Sequence, residues 1–342
     1  MGRECFFDLF ATITLGLCAM AVLSDRCAAQ QVQSIGVSDK LTFAANIDEA
    51  GYRLTDFFLP HYNTGIFVWD SRAELWLPPF RSRFSWGSYA RFAGAVGFKD
   101  DRSLEAKGLQ GFAFPNALLG TPGVGFQVYP FSSLRFQGSS SVVGKILGPL
   151  RFFAEYNWAD YIGTKNSWRP HSQFKVGFEH WKAVHVNDTA HAFWLETWNG
   201  LYWQSSNEFT DKYDSAIFTN AWRAGVRKPK SGVVSNVTPY LAVESSRTKY
   251  NRPASQSCAF PVSYTNFPVN PNPCNFYWEN RLLAGGGLRY APSLERVRGV
   301  QRFVIYAEYL NTAIYYGPKP PSSVPRFDFR VGVSASVGQW YP

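Results

Sequence analysis

The sequence predicts an all-β protein, a transmembrane antiparallel up-and-down β-barrel, from two observations. Apolar and polar residues alternate along many segments, the two-residue period of a strand with one apolar face. These segments run for about ten residues or more, which exceeds the common strand length of soluble sheets and matches a tilted span of a bilayer. An apolar stripe also occurs in a soluble β-sandwich, where it faces inward. The length of the segments favours the barrel.

The polar faces and the chain end also favour the barrel. The polar faces are rich in Gly, Ser and charges of both signs, which suits a wet or tightly filled lumen. The final predicted strand ends close to Trp340 and Tyr341, an aromatic end of the kind that the barrel-assembly machinery reads. The usual terminal Phe is missing, so this signal is partial.

The first 29 residues have the pattern of a secretory signal peptide. Arg3 opens a short basic region, residues 9–23 are apolar, and small residues precede a cleavage point before Gln30. Residues 30–342 are then one outer-membrane β-barrel domain. An uncleaved anchor is the alternative.

The strands are predicted in chain order from the alternation. Asp70, Arg72 and Glu74 mark the polar side of an early segment, and Asp328 and Arg330 mark that of the last one. The count is about 14, and an even number is expected of a bacterial single-chain barrel. Segment 108–130 carries three Pro and alternates weakly, so 12 strands is an alternative, as is 16. The predicted strands are 49–57, 62–77, 86–98, 108–115, 122–130, 133–144, 150–161, 172–184, 190–204, 215–227, 236–246, 278–290, 300–315 and 325–341.

The charge and the cysteines add expectations about partners. The net charge is +9, and a basic excess in an exported chain suits anionic surfaces. We expect the cell outer membrane as the location, membrane lipid and lipopolysaccharide as partners, and no nucleic acid. Cys258 and Cys274 remain after the signal, and an even count in an exported chain predicts a disulfide. The connector that carries them is predicted to lie on the outer side of the membrane.

The polar strand faces supply the candidate pore lining. One interpretation is that opposite charges neutralise one another and plug a narrow barrel. The other is that an excess of Arg leaves a positive lumen that favours anions, as rings of charge do in selective pores, with Tyr rings as surfaces for sugars. The predicted lining residues are Arg72, Arg91, Arg135, Arg151, Arg223, Arg281, Arg289, Arg302, Arg330, Glu155, Glu308, Asp328, Tyr240 and Tyr306.

The sequence predicts no enzyme, cofactor or metal site. His171 and Ser172 are adjacent, so a strand sends their side chains to opposite faces and they cannot form a nucleophile–base pair. The histidines at 180, 185 and 191 lack the placement on one face that a metal site needs. Gly285–Gly287 lies inside a predicted strand, which indicates a bend or a close approach rather than a phosphate loop.

Three segments near the end, WENR at 278–281, GGGLRY at 285–290 and FVIYAEYL at 303–310, carry a family resemblance. They resemble the closing strands of exopolysaccharide-export outer-membrane barrels, the family that includes the bacteriophage N4 adsorption receptor. The resemblance implies a pore for a secreted polysaccharide, with phage binding by exposed loops. It also implies a separate periplasmic scaffold or synthase complex, because the helical-repeat domain of that family has no counterpart before these strands. A general solute porin and a non-transporting surface receptor or adhesin are the alternatives.

Overall fold

The computed structural model describes residues 40–55, 64–78, 84–97, 118–132, 144, 147–162, 171–187, 192–205, 214–227, 237–250, 281–292, 300–316 and 327–338. These residues contain twelve strands: β1 (Thr42–Thr55), β2 (Thr64–Trp76), β3 (Ser85–Gly97), β4 (Leu118–Tyr129), β5 (Leu150–Ile162), β6 (His171–Asn187), β7 (Ala192–Gln204), β8 (Ser215–Arg227), β9 (Val237–Tyr250), β10 (Arg281–Tyr290), β11 (Val300–Tyr315) and β12 (Phe327–Gly338).

The strands form one closed barrel. Each strand pairs antiparallel with the next in chain order, and β1 pairs with β12 to close the sheet, for example at Gly51 and Gly332. Closure removes the unpaired edges that an open sheet would expose. The predicted all-β antiparallel barrel is therefore confirmed, with the twelve strands of the alternative count.

The main prediction of about fourteen strands is too high by two. The predicted strand 108–115 lies outside the described residues, and β3 pairs directly with β4. β4 pairs directly with β5, and residues 133–143 of the predicted strand 133–144 also lie outside the described residues. At its end the amide of Gly148 donates to the carbonyl of Gly144 at 2.9 Å, the spacing of a helical turn. Alternation alone does not show whether a segment joins the sheet.

The charged strand faces point into the barrel. Arg223 on β8 lies 2.8 Å from Glu308 on β11, and these strands are not neighbours in the sheet. Two side chains can meet in this way only across the interior. The residues that alternate with them therefore point outward, which is the reverse of a sandwich with its apolar side sealed inside.

The outward face is apolar and open. In a membrane barrel such a band lies against lipid. No helix of the described residues is long and apolar enough to cross a membrane. Outward side chains that are 40% to 73% exposed include Leu75, Phe92, Val124, Phe126, Phe152, Val176, Leu241, Leu288, Ile305 and Val331.

Candidate pore lining

Two groups of ion-paired side chains line the lumen. The first network belongs to the wall from β1 to β6 and comprises Asp48, Asp70, Arg72, Glu74, Arg91, Arg151, Glu155 and Glu179. The second network belongs to the wall from β8 to β1 and comprises Glu49, Arg53, Arg223, Glu244, Glu308, Asp328 and Arg330.

Arg91 on β3 is the centre of the first network. It donates to both oxygens of Asp70 on β2, at 2.9 and 2.7 Å, and to Glu155 on β5 at 2.9 Å. Glu155 also accepts from Asn157 at 2.7 Å and from the Tyr89 hydroxyl at 2.9 Å. The buried charge of Glu155 is thus compensated by one guanidinium and two neutral donors, as a buried carboxylate requires.

The remaining arginines of the first network lie against Tyr89. The guanidinium carbons of Arg72 and Arg151 lie 5.1 and 5.2 Å from its ring centroid. Arg151 also donates to Glu179 at 3.0 Å. The separation between Arg72 and Asp48 is 3.7 Å, which is beyond hydrogen-bond length. The Tyr89 ring therefore packs against two cations, and the ion pair of Arg72 is loose.

The second network is held more tightly. Arg223 donates to Glu308 at 2.8 and 3.1 Å and to Glu244 on β9 at 2.5 Å. Arg330 on β12 donates to both oxygens of Glu244 at 2.7 Å and to Asp328 at 2.9 and 2.6 Å. The Glu308 side chain is 0% exposed. Two arginines therefore share two glutamates that stand on different strands.

An apolar patch lies beside the second network. Arg289 on β10 donates to Glu196 on β7 at 2.7 Å, and its guanidinium carbon lies 4.5 Å from the Trp194 ring centroid. Trp194 in turn packs against Tyr240, with ring centroids 5.5 Å apart. Both rings belong to a buried cluster with Leu283. The inner wall is therefore partly filled by apolar side chains as well as by charges.

Tyrosine rings lie close against glycines of the adjacent strand. A Cβ atom added at Gly125 would lie 2.2 Å from Cζ of Tyr89, and one added at Gly287 would lie 2.8 Å from Cζ of Tyr240. No larger residue fits under these rings without a shift. The expectation of a close approach at the Gly285–Gly287 run is confirmed: at Gly287 the backbone oxygen of Ala307 comes closest, and the Tyr240 ring follows.

A β-bulge in β1 changes which side chains reach the lumen. The pairing of β1 with β2 passes from Ile47 with Ser71 to Glu49 with Asp70, which leaves Asp48 as an extra residue. Strict alternation would send Asp48 and Glu49 to opposite faces. The bulge instead brings both carboxylates to the lumen side, opposite Asp70.

The structure places the predicted lining residues as follows. Ion pairs between lumen side chains join Arg72, Arg91, Arg151, Arg223, Arg289, Arg330, Glu155, Glu308 and Asp328. Tyr240 is buried, and Tyr306 donates to Glu49 at 3.1 Å. Arg281 is 3% exposed, and it donates to Thr312 at 3.4 Å.

Three of the predicted site residues cannot be placed. Arg135, Cys258 and Cys274 lie outside the described residues. The backbone of Arg302 belongs to β11, but its side chain is not among those that the structure describes.

Four charged lumen residues among those described were not predicted: Asp48, Glu49, Arg53 and Glu196. Asp48 and Glu49 form the bulge, where the alternation is broken, and Arg53 follows in the same strand. Glu196 lies in a strand whose two faces both carry aromatic residues, so hydropathy did not separate them. The signal that could have identified Glu196 is its position midway between Trp194 and Trp198, since all three residues share one face of the strand.

The charge of the lumen is close to balanced. Arg281 adds one cation on the lumen side, and Lys175, 5.9 Å from the Tyr202 ring centroid, adds another. The excess of positive charge that the sequence suggested is not present among the side chains that the structure describes. The ion pairs there join seven arginines, Arg53, Arg72, Arg91, Arg151, Arg223, Arg289 and Arg330, to ten carboxylates, Asp48, Glu49, Asp70, Glu74, Glu155, Glu179, Glu196, Glu244, Glu308 and Asp328.

Within the described part of the chain, no group of three or more His, Cys, Asp or Glu side chains is arranged to hold a metal ion. Arginines already pair with the lumen carboxylates of the two networks. What the arrangement can do chemically is to present paired charges and bound tyrosine hydroxyls to water in the lumen.

The chain was compared with known proteins. No protein-family model and no curated protein matches it. The β-domain of the Bordetella autotransporter BrkA is 12% identical, with 87% of this chain and 99% of that chain covered and a TM-score of 0.37. An outer-membrane channel from Pseudomonas putida F1 is 6% identical, with coverage of 91% and 99% and a TM-score of 0.37. The translocator domain of NalP from Neisseria meningitidis is 9% identical, with coverage of 98% and 98% and a TM-score of 0.33.

All three TM-scores lie below 0.5, so function must be derived from this chain's own side chains. A closed barrel of twelve strands with a charged interior and an open apolar exterior is a transmembrane β-barrel. Bacterial barrels of this kind lie in outer membranes, so the protein is an outer-membrane β-barrel.

Proposed function

We propose that this barrel is a narrow outer-membrane pore for small polar solutes and ions. The proposal rests on one observation: charged side chains near the middle of their strands are open to water inside the barrel. Asp70 on β2 and Arg223 on β8 each have 29% of the side chain exposed. In a fully filled lumen these groups would be buried.

The strand number supports a narrow passage. Eight strands enclose an interior that side chains can fill, whereas sixteen to eighteen leave a wide aqueous channel. Twelve strands lie between these limits. Each network also stays on its own part of the wall: the ion pairs of Arg91 reach from β2 to β5, and those of Arg223 reach from β8 to β11. The proposed path runs between the two walls.

Export of an exopolysaccharide is the second candidate, and the tyrosines on the lumen side are the observation in its favour. A sugar stacks on an open aromatic face. The hydroxyls of Tyr89 and Tyr306 donate to Glu155 and Glu49, and the Tyr89 ring packs against two guanidinium groups. A glycan would have to displace these contacts, so the small-solute pore is the better-supported proposal. Export would also need the separate periplasmic scaffold or synthase.

Reconstitution into planar bilayers and swelling of proteoliposomes test the proposal. We expect discrete current steps and entry of monosaccharides, with entry falling steeply for oligosaccharides. Entry of long glycans would favour export. Bilayer recordings without current steps would favour the receptor or adhesin class. Slower gel migration after boiling would establish that the sample was folded, since intact barrels resist detergent until they are heated.

Adjacent residues of β12 offer a matched pair of variants. Ser334 lies on the lumen side with Arg330, and Ala335 lies on the outward side with Val331. Ser334→Trp adds bulk inside the barrel and should reduce the unit conductance at least about twofold, because conduction depends on the pore cross-section. Ala335→Trp adds the same bulk towards lipid and should leave conductance unchanged. Equal effects of the two substitutions would contradict the proposed path.

A further inference from the structure

The charges of the lumen differ greatly in their access to water. Glu308 and Glu155 are 0% and 3% exposed, and each is bound by arginine, so their charges are compensated locally. Asp48 has 42% of its side chain exposed, the largest fraction among the ion-paired lumen groups, and Asp70 has 29%, the same as Arg223 on β8. Since the buried charges are paired, a passing ion meets chiefly the groups that reach water.

The bulge concentrates carboxylates at one level of the barrel. Asp48 and Glu49 both lie on the lumen side, and Glu49 stands directly opposite Asp70 in the pairing of β1 with β2. The nearest cations are less open to water than Asp48 and Asp70: the side chains of Arg72, Arg91 and Arg53 are 11%, 19% and 26% exposed. At this level the two aspartate carboxylates are therefore more open to water than the guanidinium groups beside them.

A second observation points to a cation at the same place. Asn46 precedes the bulge, and its amide nitrogen donates to Asp48. The other amide atom, Oδ1, is buried without a hydrogen-bond partner among the described residues, and Asn46 is 5% exposed. A buried acceptor normally has a partner. A carbonyl oxygen beside carboxylates matches the ligand chemistry of a partly dehydrated cation.

We infer that the pore prefers cations to anions and that Asp48 and Asp70 determine this preference. The inference rests on the proposed pore function. It is opposite in sign to the net charge of the whole chain, +9, because selectivity depends on the groups that face the path. The permeant class is small monovalent cations and cationic solutes.

Reversal potentials in a potassium chloride gradient test the inference. We expect the unmodified barrel to have a ratio of potassium to chloride permeability above one. The double variant Asp48→Asn with Asp70→Asn should lower this ratio at least about fivefold, since one unit charge at about 4 Å in water already gives a Boltzmann factor of about five. Both side chains reach water, so the variant is expected to fold.

Asp214→Asn is the matched control. Asp214 directly precedes β8 and accepts a hydrogen bond at 2.7 Å from the indole of Trp203, a residue on the outward face. This substitution removes one carboxylate of the same type outside the lumen and should change the ratio less than twofold. Chloride preference in the unmodified protein would overturn the inference and leave the pore intact, as would an unchanged ratio in the double variant. Absence of any current would overturn both.

Discussion

Asp48 and Glu49 are consecutive in β1, yet both face the lumen and each belongs to a different network. Asp48 lies 3.7 Å from Arg72 in the first network. Glu49 forms an ion pair with Arg53 in the second network and accepts from Tyr306 at 3.1 Å. The bulge is therefore the place where the two charged walls meet, on a strand that closes the barrel by pairing with β12.

Glu308 should matter more for stability than a carboxylate that reaches water. Glu308→Gln leaves Arg223 and Arg330 with one fewer anionic partner in a buried setting, so we expect a loss of about 2–4 kcal/mol. Asp70→Asn is the comparison, because Asp70 is 29% exposed and water can replace its charge. It should cost about 1 kcal/mol. Urea unfolding in detergent micelles measures both, and equal losses would count against the buried network.

Arg223 and Arg330 should influence ion selectivity through the carboxylates that they compensate. Replacing both with Gln leaves Glu244 and Glu308 without their main partners. The uncompensated charge should shift the reversal potential further towards cations. If the double variant does not fold, Arg223→Gln alone is the test, because the Arg223 side chain is more open to water than that of Arg330. This single variant should give a smaller shift of the same sign. A shift towards anions would exclude these residues from the lining.

Gly125 is required by the position of Tyr89. Gly125→Ala places a methyl group 2.2 Å from the ring carbon Cζ, so the ring must move away from Glu155. We expect the free energy of unfolding to fall by about 1–3 kcal/mol, which is typical of overpacking. The folded band on the gel should also be lost at a lower temperature. Gly200→Ala is the control, since its nearest neighbour is Thr219 Oγ1 at 3.0 Å. If the control destabilises the barrel equally, Tyr89 is not the cause.

Val243 tests the orientation of the apolar face. It is the seventh of the 14 residues of β9 and points outward. Val243→Arg should cost about 2–4 kcal/mol in lipid vesicles, the range for arginine at the bilayer midplane. Leu41→Arg changes an exposed leucine just before β1 and should cost less than about 1 kcal/mol. Similar costs at both positions would mean that Val243 is not in the hydrocarbon layer.

Cys258 and Cys274 stay a prediction, since both lie outside the described residues. Thiol labelling of the denatured, unreduced exported protein should find neither cysteine free. The closed loop would contribute about 3 kcal/mol in the chain-entropy model. Both residues fall in the connector between β9 and β10, so reduction should leave the barrel band on the gel. Labelling of both cysteines before reduction would show that no disulfide forms.

Much of the barrel was predictable because its pattern is local. The alternation around Arg330 separated a lumen face from an outward face, and the structure places both faces as expected. The predicted strand count was too high because alternation does not show whether a segment joins the sheet: β4 pairs directly with β5, although a strand was predicted between them. The missed pair Asp48 and Glu49 has a similar cause: one extra residue in β1 shifts the period, and nothing in the residues themselves marks it.

The sequence by itself determined the class of fold and which side chains are apolar or charged on each strand, since a period of two follows from the geometry of one extended chain. Only the tertiary structure decided which charges meet. Arg223 and Glu308 are separated by 85 residues and two intervening strands, and their contact depends on closure of the whole sheet. The balance of charge in the lumen, and hence the expected selectivity, follows from that closure and from the bulge in β1.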